Sequence, residues 1–369
     1  MTGEGRGVHK RRHRNQGKSA IMAVPFIQQL RVGAYILKQK LGGKKRYPLV
    51  LMLEPLFRCN LACPGCGKIE YPTEILDKRL SVEECLAAAD ECGAPIVSIP
   101  GGEPLIHKEM AQIVAGLVAR KKFVYLCTNA LLLKKKMDQY EPSVYLTFSV
   151  HLDGLGEEHD RAVAQAGVFD IATEAIREAV RRGHRVTVNC TLFNNAVPQK
   201  VAEFFDYVMD MGVESITISA GYAYEDASDQ EHFLTRTQTK NIFRELFRIQ
   251  KRENKAWKFN QSILYLDFLA GNQSYQCTPW GNVTRNVFGW QKPCYLVNEG
   301  HEPSHGALMA NTDWDKWGVG RNPKCADCMV HSGFEPTAVN DTLAHPFKAL
   351  KVWLKGVDTE GPMVDDAKG

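Results

Sequence analysis

The sequence predicts an α/β fold built on a parallel sheet. Between Arg46 and Thr235, six short apolar runs alternate with longer stretches of helical periodicity, and a run, helix, run order requires crossovers between parallel strands. At 369 residues the chain is long enough for one large α/β domain and a smaller appended one.

The N-terminus comes first and differs from the rest. Residues 1–46 carry 12 of the 46 Lys and Arg and a single acid, Glu4, so the remainder is net acidic at 34 bases against 42 − 1 = 41 acids. Residues 1–21, rich in Gly, Arg and His, read as a disordered basic tail. Met22 opens a more protein-like segment, which leaves Met1 and Met22 both open as the true start. Across 22–47, Phe26, Ile27, Leu30, Ala34, Leu37 and Leu41 fall on one helical face and Lys44, Lys45 and Arg46 follow, giving a basic amphipathic helix that packs on its own domain or docks on a membrane surface. Nucleic acid is not expected as a partner, because base-stacking aromatics are not interleaved with the basic residues.

The expected core spans 48–234. Its strands are Leu49 to Leu53, Ile96 to Pro100, Phe123 to Cys127, Val144 to His151, Val186 to Leu192 and Ser215 to Ser219. Helices are expected near Ser81 to Glu91, Lys108 to Arg120, Phe169 to Arg182 and Pro198 to Met211, the first opened by a capping box of Ser81 and Glu84. A helical stretch, Gln238 to Arg252, begins a second region, 235–340, rich in Trp, Gly, Asn and Pro, and a C-terminal helix and tail occupy 341–369.

Eleven cysteines and no secretory leader suggest a reducing cytosol, with metal or redox use in preference to disulfides. No run of 18 apolar residues occurs, so no transmembrane helix is expected. Cys59, Cys63 and Cys66 follow the first strand at C-x3-C-x2-C spacing. Three thiolates at that spacing suit three corners of a [4Fe-4S] cluster and leave one iron open to a small molecule, whereas common electron-carrier clusters take four cysteines; a zinc knuckle is the competing reading. After the second strand comes Gly101-Gly102-Glu103-Pro104, two glycines that allow close backbone approach to a ligand and a carboxylate suited to an ammonium group. Cys277, Cys294, Cys325 and Cys328 could close an auxiliary site of iron–sulfur or zinc type, with His301, His305 and His331 as rival ligands. Cys85, Cys92 and Cys190 fit core positions.

The cysteine triplet and the Gly-Gly-Glu turn together resemble the radical S-adenosylmethionine superfamily. The resemblance implies a partial (β/α)6 TIM-like barrel with a C-terminal cysteine-containing extension, and S-adenosylmethionine bound at the open iron as co-substrate. In such barrels the working groups stand at the C-terminal ends of strands. That makes Thr128, Asn129, Ser149, His151 and Asn189 the expected cofactor contacts beside Gly101, Gly102 and Glu103. One position departs from the superfamily pattern: the residue before the third cysteine is commonly aromatic, and here it is Gly65, which puts the adenine contact in doubt.

From Met22 to about Asn340 the chain more closely resembles the hopanoid-biosynthesis family of adenosylhopane synthases. Phe26-Ile27-Gln28-Gln29-Leu30, Cys59 to Lys68, Ser149 to Gly154, Phe288 to Tyr295 and Lys324 to His331 carry it. The resemblance implies addition of the 5′-deoxyadenosyl radical to the alkene of diploptene, a membrane triterpene. It also implies a flavodoxin- or ferredoxin-type reductant and a cytoplasmic protein, peripheral at the inner face of the membrane. Addition leaves a tertiary carbon radical that a thiol can quench, and Cys127, at the mouth end of the third strand, is the expected hydrogen-atom donor; a plain buried cysteine is the other reading. Two alternatives stay open: a peptide or cofactor maturase with an auxiliary iron–sulfur cluster, and a non-catalytic metal-binding scaffold.

Overall fold

In the computed structural model, residues 24–66, 70–222, 227 and 229–364 are described. The expected tail, 1–21, and the choice between Met1 and Met22 lie outside the described residues.

The six expected strands form, within two residues at either end, as β1 (Val50–Leu53), β2 (Ile96–Ile99), β3 (Phe123–Thr128), β4 (Leu146–His151), β5 (Arg185–Leu192) and β6 (Ser215–Ala220). They pair in sequence order and all in parallel. The helices are α1 (Phe26–Leu41), α2 (Val82–Cys92), α3 (Met110–Ala119), α4 (Val168–Arg181), α5 (Pro198–Asp210), α6 (Arg236–Arg252), α7 (Ile263–Leu269), α8 (His331–Ala344) and α9 (Pro346–Lys355), with shorter helical turns between. Ser81 starts α2 as its spacing requires: its hydroxyl accepts from the Glu84 N–H, and Glu84 returns a bond to the Ser81 N–H.

The sheet is longer than the six expected strands. β7 (Asn282–Asn286) pairs parallel to β1, and β8 (Gly289–Cys294) and β9 (Val297–Glu302) extend it antiparallel. The nine strands run β6-β5-β4-β3-β2-β1-β7-β8-β9, an open, curled sheet of partial-barrel type. Between β6 and β7 lies α8: its His331 bonds Ser219 of β6, and Pro336 packs on Gly281 at the start of β7.

Alternation along β1–β6 divides the residues into two sets. Leu51, Leu53, Val97, Ile99, Val124, Leu126, Phe148, Val150, Val186, Val188, Ile216 and Ile218 are all buried and form the main core with α2–α6. The opposite positions are mostly polar: register places Ser98 beside Met52, Cys127 beside Ser149, His151 beside Asn189, and Thr191 beside Ser219. The inner wall of the barrel is thus not a hydrocarbon core. Thr147 Oγ1, Thr284 Oγ1 and Asn282 Oδ1 on that wall are buried without hydrogen-bond partners in the protein, as expected of a surface that meets water or ligand.

α1 lies across the strand-entry end. Buried Gln28 donates to the Tyr125 hydroxyl (3.0 Å), Arg31 stacks over Tyr145, and Ile36 packs with Tyr47 and Leu49. This orientation determines which face meets solvent. The face bearing Phe26, Ile27, Leu30, Ala34, Leu37 and Leu41 is exposed, with Phe26 70% and Leu41 81% accessible. α1 packs instead through Gln28, Val32, Tyr35 and Ile36. No helix among the described residues is long and apolar enough to cross a membrane.

Candidate functional site

The candidate site is assembled at the C-terminal ends of β1–β6. The loop leaving β1 carries Cys59, Cys63 and Cys66, with a tight turn in which the Cys66 N–H donates to the Cys63 carbonyl (3.0 Å). It is zipped to the loop leaving β2: the Gly102 N–H donates to the Leu56 carbonyl (3.0 Å) and the Glu103 N–H to that of Arg58 (2.9 Å). Here the glycines acquire a reason. A Cβ on Gly102 would stand 2.2 Å from the Phe57 carbonyl oxygen, and one on Gly101, at φ +59°, would stand 2.6 Å from that of Leu56. The close approach they permit is therefore to the cysteine loop's own backbone.

Glu103 is fully buried, and its carboxylate is already engaged. Oε1 accepts from the Leu105 N–H and the Thr128 hydroxyl (both 2.9 Å), and Oε2 from the Asn129 N–H (2.8 Å). Burial raises its pKa against these bonds, which favour the charged form. Asn129 continues the lattice, donating through Nδ2 to Asn60 (2.8 Å) and toward Cys59 Sγ (3.8 Å). Glu103, Thr128 and Asn129 thus fasten the cysteine loop to the end of β3, a supporting position that the sequence reading, which gave them ligand contacts, did not include.

The three thiols are partly buried together. Burial raises Cys59 to about 11 and Cys63 to about 12, and nearby thiols and the carboxylates Glu103 and Asp153 add to the shift. A cationic iron centre removes that penalty, so the donor set fits the cluster expected of it. Among the described residues no three His, Cys, Asp or Glu side chains are arranged to hold a single ion.

Deeper in the barrel, Cys127 Sγ lies 3.6 Å from Ser98 Oγ, with Ser149 on its other side. Burial raises its pKa, so at neutral pH it is a thiol and keeps its S–H. His151 Nε2 lies 2.7 Å from Asp153 Oδ2, while Asp153 Oδ1 accepts from the Thr191 N–H (2.7 Å) and the Asp153 N–H donates to His159 Nδ1 (3.2 Å). Burial works against a charged His151, but the Asp153 carboxylate holds its pKa above the ordinary value. His159, fully buried, is depressed to about 4, by burial first and by His151 second.

Phe193, just after β5, was missed by sequence reasoning. Its ring lies 3.5 Å from where a Cβ on Gly65 would stand, and it packs as closely on Gly221. An aromatic from another strand end therefore abuts the position where the superfamily commonly has one. No local sequence signal reveals this, because the two positions are 128 residues apart.

Cys277, Cys294, Cys325 and Cys328 line one small cavity elsewhere in the molecule. His301, His305 and His331 do not line it. His301 packs on Phe288, His305 on Trp290, and His331 bonds Ser219.

The cysteine loop, the Gly-Gly-Glu turn and the polar strand ends stand together at one end of the sheet, where the residues expected to hold a [4Fe-4S] cluster and S-adenosylmethionine should meet. The family model of the radical SAM superfamily matches residues 53–208. A second model, described as a domain of unknown function (DUF3463), matches 216–352. Among curated relatives, Fe-coproporphyrin III synthase of Methanosarcina barkeri is 30% identical over 36% of this chain and 35% of its own length. GTP 3′,8-cyclase of Thermodesulfovibrio yellowstonii is 25% identical over 68% of this chain and 82% of its own. The first relatives are thus matched over only about a third to a half of their length. Among solved structures, Streptococcus suis SuiB bound to its precursor peptide SuiA superposes with a TM-score of 0.59 at 16% identity, covering 82% of this chain and 74% of that one. Native anSMEcpe with bound AdoMet gives 0.55 at 14%, covering 84% and 100%. These two likenesses show the fold.

Proposed function

We propose that the chain cleaves S-adenosylmethionine reductively and adds the 5′-deoxyadenosyl radical to the alkene of diploptene, forming adenosylhopane. The observation that carries this reading is the outward apolar face of α1. A C30 hydrocarbon resides in the bilayer, at about 0.8 kcal/mol per buried methylene, so its enzyme must work at a lipid surface. Five large apolar side chains of α1 are exposed, with Lys38, Lys40, Lys44 and Lys45 exposed alongside. The motif resemblance from Met22 to Asn340 supports the same substrate.

The bound cluster, on this reading held by Cys59, Cys63 and Cys66, would supply one electron to break a carbon–sulfur bond of S-adenosylmethionine. Gly101, Gly102 and Glu103, with Thr128 donating to Glu103, would set the position of the cysteine loop, and Asn129, Ser149, His151 and Asn189 would face the nucleoside and methionyl groups. Addition to the alkene forms a carbon–carbon bond and leaves one unpaired electron on the tertiary carbon. Cys127, held as a neutral thiol between two serine hydroxyls, would donate its hydrogen atom there. The resulting thiyl radical would be reset by one electron, from a flavodoxin- or ferredoxin-type reductant, and one proton.

The named relatives favour a second reading, a peptide or cofactor maturase. Two of them are named for acting on GTP or for making an iron porphyrin, and SuiB was solved with its precursor peptide. Incubating reduced, reconstituted protein with S-adenosylmethionine and diploptene separates the two. Adenosylhopane by mass spectrometry is expected. Abundant 5′-deoxyadenosine with no coupled product would reject the triterpene and leave the maturase. In the same assay Cys127→Ala should still consume S-adenosylmethionine but lose most of the saturated adduct; saturated product at the normal rate would remove Cys127 from the donor role.

A further inference from the structure

Cys277 precedes β7, Cys294 ends β8, and Cys325 and Cys328 form a C-x2-C clip in the loop before α8. These separate segments bring four cysteines to the rim of one cavity, whose remaining walls include Trp317, Phe334, Leu296, Val297 and Tyr222. Four cysteines from three separate segments, two of them in a C-x2-C clip, make a donor set of the kind that iron–sulfur sites use. The surroundings are shaped around the sulfurs: a Cβ on Gly333, at the first turn of α8, would lie 2.4 Å from Cys277 Sγ, so that helix can approach only without a side chain there.

The donors are all sulfur, as they are at Cys59, Cys63 and Cys66. We propose that Cys277, Cys294, Cys325 and Cys328 hold a second [4Fe-4S] cluster, with one cysteine on each iron. Full ligation leaves no open iron, so this cluster binds no substrate; it stores or relays an electron and fixes the loop from Cys325 to His331. That loop is braced from other sides as well. Arg236 donates to the Cys328 carbonyl (2.6 Å), the Tyr265 hydroxyl donates to that of Met329 (2.8 Å), and His331 reaches Ser219 on the inner wall (2.8 Å). The inference is independent of which substrate the radical attacks.

The test is iron and acid-labile sulfide per chain after anaerobic reconstitution with ferrous iron and sulfide, read with electron paramagnetic resonance after reduction. The full-length protein should hold about eight of each. A Cys59→Ala, Cys63→Ala, Cys66→Ala variant should keep about four, with a signal that S-adenosylmethionine does not alter. Cys325→Ser with Cys328→Ser should keep about four, with a signal that S-adenosylmethionine does alter. The triple variant decides the matter even where the C-terminal variant fails to fold. An iron-free triple variant, or one holding zinc without sulfide, overturns the proposal; loss of the S-adenosylmethionine-responsive signal from the full-length protein would instead count against the first cluster.

Discussion

Gly102 is the smallest residue at the site and among the least replaceable. Its missing Cβ would collide with two carbonyl oxygens of the cysteine loop, at 2.2 and 2.3 Å, and backbone cannot swing aside as a side-chain end can. Gly102→Ala should therefore exceed the ~1–3 kcal/mol of ordinary overpacking and displace the loop. The expected outcome is a folded chain that retains less than half of the iron attributable to Cys59, Cys63 and Cys66; full retention would show that the loop relaxes freely. At this scale the sequence conveyed the composition of the site but less of its wiring. The cysteine spacing and the Gly-Gly-Glu turn were visible as local patterns. Which atoms Glu103 holds, and that Phe193 backs Gly65, depend on loops from different strands meeting, and no spacing encodes that.

Among elements, α1 and α9 stand apart because both leave large apolar side chains in water. Phe347, Leu350, Trp353 and Leu354 are exposed on α9, with Phe347 84% accessible, and Lys351 and Lys355 are exposed beside them. α9 contacts α8, and Val339 of α8 packs on the small cluster that includes Ile36 of α1. On the lipid reading, vesicles containing anionic lipid should sediment the protein. Leu37→Asp and Phe347→Asp should each weaken that about tenfold, since a large apolar side chain contributes ~1.5–3 kcal/mol on burial. Neither change should move the melting temperature, because neither side chain packs in the fold; unaltered sedimentation would remove these faces from membrane binding. Periodicity revealed the amphipathic pattern of α1 but not which side faces inward. Gln28 decides that by bonding to Tyr125, a partner 97 residues away. β7–β9 escaped notice for a related reason: Asn282 to Asn286 and Val297 to Glu302 are largely polar and lack the alternation that marks a half-buried strand.

For the whole molecule, buried His159 and partly buried His331 contribute a loss of stability in acid. His159 and His331 are both depressed to about 4, by burial first, whereas in the unfolded chain each titrates near 6.5. As pH falls from 6.5 toward 4 the unfolded chain takes up protons that the folded one refuses, so stability is lost across that window. His151 runs the other way: its folded pKa is raised, so its contribution is complete below 6.5 and is lost as pH rises through the folded value. The melting temperature followed by circular dichroism should drop between pH 6.5 and 4.5, and the drop should shrink in His159→Gln; an equal drop in that variant would assign the acid limit to other groups. The six-strand alternation was legible in the sequence because each run is short, apolar and separated by helical periodicity. The continuation past β1 was not, because it returns from residues more than 220 positions later to pair with the first strand.

With α1 lying over one end of the barrel and α8 drawn across the gap beside β6, the chamber has a floor and a side wall, which leaves the rim bearing the cysteine loop as its doorway. On the proposed reading, a joined product larger than either guest would have to depart past the same cysteine loop that admitted them.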